Sequence, residues 1–304
     1  MQQTFYSNGK LLITGEYSVL DGAKALALPT KSGQYLHVSP GKNQIISWKS
    51  FDADGSVWFE DTILFDDIKH KTSFDASQGI KKTLIEILHQ AYLQNNDFLS
   101  NSDGYTVTTE LTFPRFWGLG TSSTLINNIA QWLKIDAFEL LRESFGGSGY
   151  DIACAQNDSP ILYSLENDKP IIESVSFNPI FANNLYFVYL NQKQNSKEAI
   201  AFYYKKRPQM ANIIEKIDAI TNIIINTKSL LEFSAALNHH EIIMSDVLEM
   251  QTVKEAFFSD FTGGIKSLGA WGGDFILAIS EENPTPYFQT KGFTIIVPYR
   301  DMIK

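Results

Sequence analysis

The feature that most constrains the fold of this chain is a glycine-rich turn in its middle that runs directly into a helical pattern. Residues 113–126 read Phe-Pro-Arg-Phe-Trp-Gly-Leu-Gly-Thr-Ser-Ser-Thr-Leu-Ile. Gly118 and Gly120 carry no side chain that would block an approaching anion, and the hydroxyls that follow can cap the helix or contact a phosphate oxygen or a metal. The alternative interpretation is an ordinary helix N-terminus after a loop, because short motifs often match by chance.

The composition is that of a folded globular protein, and it limits the partners. The chain has 304 residues, of which 44% are hydrophobic, 13% aromatic and 19% charged, which argues against a disordered chain. Its net charge of -9 at pH 7 disfavours nucleic acid and anionic membranes, since both bind extended basic surfaces. A small anionic ligand needs only a few local cations and helix N-terminal amides, so we expect a small-molecule substrate.

The N-terminal sequence and the cysteine content favour a cytoplasmic protein. Cys154 is the single cysteine, which excludes an internal disulfide and favours a reducing compartment. The N-terminus lacks the basic start and apolar stretch of a secretory signal, and no apolar run reaches transmembrane length. We therefore expect no membrane partner. The sequence does not fix the oligomeric state, and a homodimer is one candidate.

The hydrophobic pattern groups strands and helices along the chain, which is typical of an α+β fold. Strands are predicted at residues 11–14, 25–28, 34–39, 44–49, 56–60, 105–111, 161–165, 185–190, 275–280 and 293–298. Helices are predicted at residues 79–95, 121–134 and 136–144, and almost continuously over 196–258 with breaks near Pro208 and around Asn238. The polar, proline-containing region 166–179 is the predicted boundary. It gives domains at residues 1–175 and 176–304.

Two further glycine-rich segments, at residues 146–151 and 263–273, accompany the central one. Glycine costs backbone entropy wherever it is not needed, so three such segments together indicate a phosphate site. The site is neither a Walker P-loop nor protein-kinase-like. The chain contains no Gly-x-x-x-x-Gly-Lys-Ser/Thr, and it lacks the His-Arg-Asp and Asp-Phe-Gly elements.

Four segments together resemble the GHMP kinases, the superfamily of galactokinase, homoserine kinase, mevalonate kinase and phosphomevalonate kinase. They are Gly-Lys-Leu-Leu-Ile-Thr-Gly-Glu-Tyr-Ser-Val-Leu-Asp-Gly at residues 9–22, Gly-Leu-Gly-Thr-Ser-Ser at 118–123, Gly-Ser-Gly-Tyr-Asp-Ile-Ala at 147–153 and Lys-Ser-Leu-Gly-Ala-Trp-Gly-Gly-Asp-Phe at 266–275. The Gly-Glu-Tyr and Gly-Gly-Asp forms are most similar to the phosphomevalonate kinase branch. The resemblance implies a two-lobed fold, with an N-terminal α+β domain like the second domain of a ribosomal protein and a ferredoxin-like C-terminal domain.

The resemblance also implies roles for single residues. Asp151 corresponds to the catalytic aspartate that accepts or orients the acceptor's proton, and Lys10 to the lysine that pairs with it. Ser122 corresponds to the hydroxyl that contacts Mg²⁺ and phosphate. The implied cofactors are ATP and Mg²⁺. The implied cofactor-binding residues are Gly118, Leu119, Gly120, Thr121, Ser122, Ser123, Gly272 and Gly273.

The acceptor would meet a second group of residues, each of which has a structural alternative. This group is Glu16, Ser196, Lys197, Gly269 and Ala270. Glu16 could equally hold its turn, Ser196 is a good helix N-cap, and Lys197 suits a solvated helix start. Gly269 could form a tight turn into a core strand.

The acidic Mg²⁺ ligand of some relatives corresponds to Glu139 or Glu143, and the spacing to Asp151 does not choose between them. His239 and His240 are adjacent, so their side chains point about 100° apart on a helix, and we interpret them as a surface helix end rather than a metal site. Cys154 fits a small buried apolar side chain better than a nucleophile.

Several residues depart from the family pattern. Arg115 and Trp117 stand where relatives usually carry small residues, Thr124 replaces an alanine, and Trp271 takes a position that is commonly glycine. A tryptophan could stack on the nucleotide, narrow the acceptor pocket or block one of them.

The sequence thus predicts an ATP-dependent small-molecule kinase acting on a hydroxyl or phosphate of a small anionic metabolite, with phosphomevalonate or mevalonate as the best candidates. The alternative is a non-catalytic nucleotide- or metabolite-binding regulator on the same fold. A related decarboxylase ranks last, because its Lys-Tyr-Trp-Gly-Lys motif is absent.

Overall fold

A computed structural model describes residues 1–72, 79–192, 203, 210–269, 271 and 273–304. The chain forms two units, each built from separate stretches. The first comprises Met1–Gly9, Ser32–Arg115 and Leu119–Gln156, and the second comprises Lys10–Lys31, Phe116–Gly118 and Asn157–Lys304. The sequence suggests one boundary near residue 175, whereas these units take up the chain in alternating segments.

The secondary structure is mixed α+β. The strands are β1 (Gln3–Leu12), β2 (Ala25–Pro40), β3 (Ile45–Phe51), β4 (Val57–Leu64), β5 (Gly104–Leu111), β6 (Ile161–Glu166), β7 (Lys169–Ser174), β8 (Leu185–Tyr189), β9 (Gly264–Ser267), β10 (Phe275–Ile279) and β11 (Ile296–Pro298). The helices are α1 (Phe65–His70), α2 (Gly79–Gln94), α3 (Asp97–Ser100), α4 (Thr121–Leu133), α5 (Ala137–Ser144), α6 (Tyr150–Gln156), α7 (Met210–Asn226), α8 (Leu230–Leu248), α9 (Val253–Phe257), α10 (Thr285–Thr290) and α11 (Tyr299–Met302). Within the described ranges, none of the helices has the length and apolar character needed to cross a bilayer.

The first unit is a sheet covered by helices. Its strands follow the order β4-β3-β5-β2, with β3 and β5 parallel and the other neighbours antiparallel. The C-terminal half of β2 pairs with β5 from Gln34 opposite Leu111 to Pro40 opposite Tyr105. The amphipathic spacing of Leu84, Leu88 and Ala91 buries one face of α2 in a core shared with α4 and α5. This unit carries the phosphate-loop candidates from Leu119 onward.

The second unit contains a four-stranded antiparallel sheet of order β11-β8-β10-β9. The N-terminal half of β2 belongs to this unit and pairs with β6, which forms a hairpin with β7. Helices α7 and α8 bury a face that includes Ile217, Met244 and Leu248 in a core with Trp271. Residues Lys10–Lys31 lie in this unit, so most of the segment at residues 9–22 belongs to the same unit as the C-terminal half of the chain.

Some predicted elements differ from the structure. β2 is one continuous strand where two were predicted, because Gly33 does not turn the chain. Instead, the missing side chain allows the backbone of β1 to approach closely, since a Cβ on Gly33 would lie 2.1 Å from the carbonyl oxygen of Ser7. The region predicted as a domain boundary contains β7, which was not predicted from the sequence, and the boundary itself stays a prediction. Helix α8 runs unbroken through Asn238, and the break lies before Ser229, whose hydroxyl caps α8 at the amide of Glu232.

Candidate active site

The central glycine-rich turn has the backbone that its sequence predicts. Gly118 and Gly120 have φ values of +67° and +97°, in the region that side chains disfavour. Leu119 between them is fully buried and anchors the turn. Helix α4 begins directly after Gly120, which offers no side-chain cap to its first turn, and Ser122 is exposed there. The amides and hydroxyls of this turn therefore suit an anion.

A cavity of about 310 Å³ adjoins this turn within the first unit. Its walls are mainly apolar and aromatic, and they include Trp48, Trp58, Phe59, Leu84, Ile87 and Leu125. The hydroxyls of Thr121 and Ser122 from α4 also line it. Such a mostly apolar cavity with a few polar groups at one end is typical of a small-molecule site. It fits a flat apolar group that carries an anionic tail.

Arg115 supports a wall of this cavity. Its guanidinium lies 5.0 Å from the ring centroid of Trp58, within the range of a cation–π interaction. Its backbone N–H donates to the carboxylate of Asp52 at 2.9 Å. Arg115 departs from the family pattern, and its side chain thus contacts the protein itself.

Trp117 packs on the sheet of the second unit. Its ring meets Phe275 edge-on at a centroid distance of 5.4 Å and tilts against Tyr189 at 6.3 Å. The Tyr189 hydroxyl donates to the carbonyl oxygen of Phe116 at 2.9 Å. These contacts hold the residues before Gly118 against β8 and β10.

Asp274 is a candidate site residue that the sequence reasoning missed. A Cβ on Gly118 would lie 1.9 Å from Oδ2 of Asp274, so the carboxylate packs directly against the Gly118 backbone. Burial raises the pKa of Asp274, and the positive charge of Lys10 partly offsets this effect. The Gly-Gly-Asp form of the third glycine-rich segment was the available signal. Lys10 and Asp274 thus lie within electrostatic range of each other in the second unit.

Asp151 lies in the first turn of α6, where a carboxylate is favoured by the helix dipole. It is half-buried, while Ile152 and Ala153 after it are fully buried. Gly147 and Gly149 before it have φ values of +103° and +89°. This backbone explains the glycines that precede the predicted catalytic aspartate.

Glu16 belongs to a buried cluster of charged groups in the second unit. Its side chain is 2% exposed and forms an ion pair with the fully buried Lys266. The Lys266 ammonium lies 3.1 Å from the carboxylate of Glu241, which accepts a hydrogen bond from Ser267. One buried ammonium thus faces two buried carboxylates. Of these residues, the sequence predicted a role only for Glu16, in acceptor binding or in holding its turn.

His240 completes this cluster, and the prediction of a surface helix end is wrong for it. Its Nε2 accepts the Gly15 N–H at 3.2 Å and lies 3.3 Å from Oε2 of Glu16. The single lone pair of Nε2 receives the Gly15 N–H, so Oε2 of Glu16 has no hydrogen-bond partner among the described residues. The helical spacing of His240 with Phe233, Leu237 and Met244, all buried, was the signal that could have placed it inside.

The protonation of this cluster follows from burial and charge count. Burial raises the pKa of Glu16 to about 7, although Lys266 opposes the shift. Burial and then the charge of Lys266 lower the pKa of His240 well below its usual range. Burial alone would lower the pKa of Lys266, but Glu16 and Glu241 raise it above its ordinary value. We therefore describe His240 as neutral and Lys266 as charged.

Trp271 lies in the core of the second unit. It is 2% exposed and packs with Tyr203, Ile217 and Met244. Its indole N–H donates to the carbonyl oxygen of Gln251 at 3.3 Å, and the Lys266 ammonium lies 5.7 Å from its ring. The tryptophan in the third glycine-rich segment is thus a packing residue that covers Lys266.

Nearly the whole chain is similar in fold to solved structures of several small-molecule kinases. Mevalonate kinase from Methanococcus jannaschii has a TM-score of 0.68 at 15% identity, covering 96% of this chain and 95% of that chain. Phosphomevalonate kinase from Streptococcus pneumoniae, in complex with phosphomevalonate and AMPPNP, has a TM-score of 0.66 at 15% identity over 95% of each chain. Galactokinase from Lactococcus lactis, complexed with galactose, has a TM-score of 0.67 at 13% identity over 95% of this chain and 88% of that chain.

The chain has the GHMP kinase fold. No protein-family model matches the chain, and no curated protein has a significant sequence match to it. The similarity to these solved structures confirms the fold that the four segments predicted.

Two acidic candidates for metal binding in this GHMP kinase fold lie on the surface of α5. Glu139 and Glu143 are about half exposed, and both lie within 4.0 Å of the Arg142 guanidinium. Among the described residues, no three His, Cys, Asp or Glu side chains are grouped as a metal site. A metal-binding role for either glutamate stays a prediction.

Several predicted residues of the GHMP kinase site lie outside the described residues, namely Ser196, Lys197, Ala270 and Gly272. Gly269 has a φ of +65° and open space around its α-carbon. The carbonyl oxygen of Gly273 accepts the amide of Gln192 at 3.1 Å. Acceptor binding by Glu16 and Gly269 stays a prediction, as does the pairing of Lys10 with Asp151.

Proposed function

We propose that this protein is a small-molecule kinase that transfers the γ-phosphoryl group of ATP to a hydroxyl or phosphate of a small anionic metabolite. The observation that carries the proposal is the α4 turn, where the exposed Ser122 hydroxyl and amides without a side-chain cap adjoin an apolar cavity. The GHMP kinase fold supports the same reaction class. Mevalonate and phosphomevalonate are the best candidates for the acceptor, because the kinases that act on them share this fold.

The transfer would use few side chains. The acceptor oxygen forms a bond to the γ-phosphorus, the bond to the β–γ bridging oxygen breaks, and ADP leaves. Asp151 would take the acceptor's proton, and the ammonium of Lys10 would favour the anionic nucleophile. Positioning and charge neutralisation account for most catalysis of this kind.

Mg²⁺ fits the residues of the α4 turn. This ion binds through one or two protein ligands together with phosphate oxygens and water, and the exposed Ser122 hydroxyl can supply such a ligand. When bound, the ion would neutralise charge on the transferring phosphoryl group. Glu139 and Glu143 remain candidates for a second ligand.

The cavity of the first unit would hold the nucleotide base. Its volume of about 310 Å³ accommodates a purine, and its aromatic walls suit a flat ring. Thr121 and Ser122 line the same cavity, so a base bound there would direct its phosphates toward the first turn of α4. Gln34, Ser50 and Thr109 offer polar groups to the base.

The decisive experiment measures ADP release from Mg-ATP by the purified protein, with mevalonate, phosphomevalonate, homoserine, galactose and no acceptor tested side by side. Stimulation by one acceptor is the expected result. Tight ATP binding without transfer to any acceptor would favour the alternative of a non-catalytic regulator. The two tryptophans that suggested this alternative contact the protein itself, so they give it no support.

We also propose the remaining expectations from the sequence. They are a cytoplasmic location, a small-molecule substrate as the main partner, no nucleic-acid or membrane partner, and a homodimer as one candidate assembly. Gel filtration with light scattering would measure the oligomeric state.

A further inference from the structure

A row of buried polar side chains crosses the interior of the first unit, which is otherwise apolar. We call Gln34, Thr124, Asn127, Asn128 and Ser7 the buried polar row, and each is at most 1% exposed. Polar groups cost free energy when they are buried, unless they form hydrogen bonds. A row of five therefore needs a structural or functional reason.

The hydrogen bonds of the row form one continuous path. Thr124 donates to Oε1 of Gln34 at 2.7 Å, and Asn128 donates to the Gln34 carbonyl oxygen at 2.9 Å. Ser7 donates to Oδ1 of Asn128 at 2.8 Å. Asn127 donates to Ser7 at 2.8 Å and accepts from the side-chain amide of Gln156 at 3.0 Å.

This path fixes the orientation of each amide. The single hydroxyl hydrogen of Ser7 goes to Asn128, so Ser7 must accept from Asn127, and the oxygen of Asn127 is left to accept from Gln156. A rotation or slide of one helix would leave buried donors and acceptors without partners. Directional bonds of this kind define helix register more sharply than apolar packing does.

The two ends of the path lie on the two helices that carry the proposed site. Thr124 is in the first turn of α4, and its hydroxyl also lies 3.0 Å from the carbonyl oxygen of Thr121. Gln156 is the last residue of α6, whose first turn carries Asp151. Asn127 is the only residue of the buried polar row, among the described contacts, that joins the row to α6.

We propose that Asn127 is a positioning residue for phosphoryl transfer, which holds the helix of Asp151 in register with the phosphate-binding turn of α4. The inference rests on the proposed kinase function. Asn127 is buried, so it would touch neither nucleotide nor acceptor. It acts through Gln156 and the placement of α6.

The test compares Asn127→Ala with Gln131→Ala by steady-state kinetics with Mg-ATP and the active acceptor. Gln131 lies one turn further along α4 and also donates to Ser7, at 3.3 Å, but it makes no described contact with α6. Asn127→Ala should lower kcat by about tenfold or more, because small misplacements of reacting groups are costly. Its KM for ATP should stay within about twofold of the wild-type value, and Gln131→Ala should keep full activity.

A second arm separates positioning from a merely structural role. In an Asp151→Asn background, Asn127→Ala should cause no further loss of kcat, since the positioned carboxylate is already gone. If Asn127→Ala does not fold, Gln156→Ala breaks the same bond from an exposed residue and should lower kcat by about threefold or more. Wild-type kcat in a folded Asn127→Ala, or equal losses in both backgrounds, would overturn the inference.

Hydrogen exchange keeps the test independent of the acceptor. In Asn127→Ala, or in Gln156→Ala if the first variant does not fold, amides of α6 should exchange faster while those of α5 stay unchanged. Unchanged exchange in α6 would overturn the inference even if the wild-type protein proved inactive. Absence of phosphoryl transfer by the wild-type protein, with the α6 effect present, would instead count against the proposed function alone.

Discussion

The carboxylate of Asp274 occupies the space that a side chain on Gly118 would need. A Cβ built on Gly118 would lie 1.9 Å from Oδ2 and 2.4 Å from the carboxyl carbon of Asp274. Gly118 also has a φ of +67°, which favours glycine. The first glycine of the phosphate turn is thus required both for its backbone and for its contact with the third glycine-rich segment.

Gly118→Ala should destabilise the protein by about 2–4 kcal/mol, because it adds a steric clash to the strain of a positive φ. Urea unfolding measures the change. Gly147→Ala is the matched control, since Gly147 has a φ of +103° with open space around it, and it should lose only about 1–2 kcal/mol. Asp274→Ala added to Gly118→Ala should relieve the clash. The double variant should then recover the stability by which Gly118→Ala falls below Gly147→Ala. Equal losses in both glycine variants would contradict the clash.

Stability should depend on pH through Glu16. Its pKa in the folded protein, about 7, lies above its ordinary value of 4.5, so the folded state binds the proton more tightly than the unfolded state. This contribution to stability is present below pH 4.5 and is lost as the pH rises through 7. Glu16→Gln mimics the protonated carboxyl and removes the titration. The free energy of unfolding of Glu16→Gln, relative to that of the wild-type protein, should therefore increase between pH 5 and pH 8.

Urea unfolding at a series of pH values measures this effect, with a slope of at most about 1.4 kcal/mol per pH unit. The exposed Glu60, which pairs with Lys49 at the surface, supplies the control variant Glu60→Gln. Parallel pH profiles for wild type and Glu16→Gln would contradict the raised pKa of Glu16.

Asp151→Asn should lower kcat by about 10²–10⁴-fold if this carboxylate takes the acceptor's proton. The amide keeps the size of the side chain, so the thermal midpoint should change little. Asp168→Asn is the matched control, because Asp168 is exposed in the turn between β6 and β7 with a φ of +59° that asparagine tolerates. Full turnover by Asp151→Asn would remove the assigned role.

Leu125→Trp should fill part of the cavity next to the α4 turn. The larger ring would exclude the nucleotide base, so the KM for ATP should rise by about tenfold or more while kcat at saturation changes less. Leu93→Trp on α2 is a suitable control, since Leu93 is 63% exposed and does not line the cavity. An unchanged KM for ATP would place the base elsewhere.

The sequence predicts the elements that depend on local pattern. The amphipathic spacing predicted α2 to within one residue of its end at Gln94, and the glycine-rich turn located the start of α4 at Thr121. Both signals act within one or two helical turns, so no distant residue can override them easily. The prediction of two strands in place of β2 was wrong, because the chain continues as a strand through Gly33. The reason for that glycine lies in a close approach of β1, which the local sequence does not contain.

The candidate site could be predicted only where its residues are neighbours in sequence. The ion pair of Glu16 with Lys266 joins residues far apart in the chain, so neither composition nor residue spacing can predict it. His239 and His240 were interpreted as a surface helix end because adjacent side chains point apart on a helix, whereas the apolar residues one turn away from His240 predict its burial. Asp274 was visible as a motif letter, but its role depends on the backbone of Gly118.

The participation of residues Lys10–Lys31 in the second unit has a consequence for protein synthesis. The N-terminal half of β2 pairs with β6, and Thr30 forms a bridge with Ile303. Ribosomes add about 5–20 residues per second, so tens of seconds separate the emergence of Thr30 from that of its partner. During that interval the bridge between Thr30 and Ile303 cannot form, although Ile13 can already donate to Leu26 within the first-made stretch. Chains released early should then be substrates for degradation, since their second unit lacks its last partners.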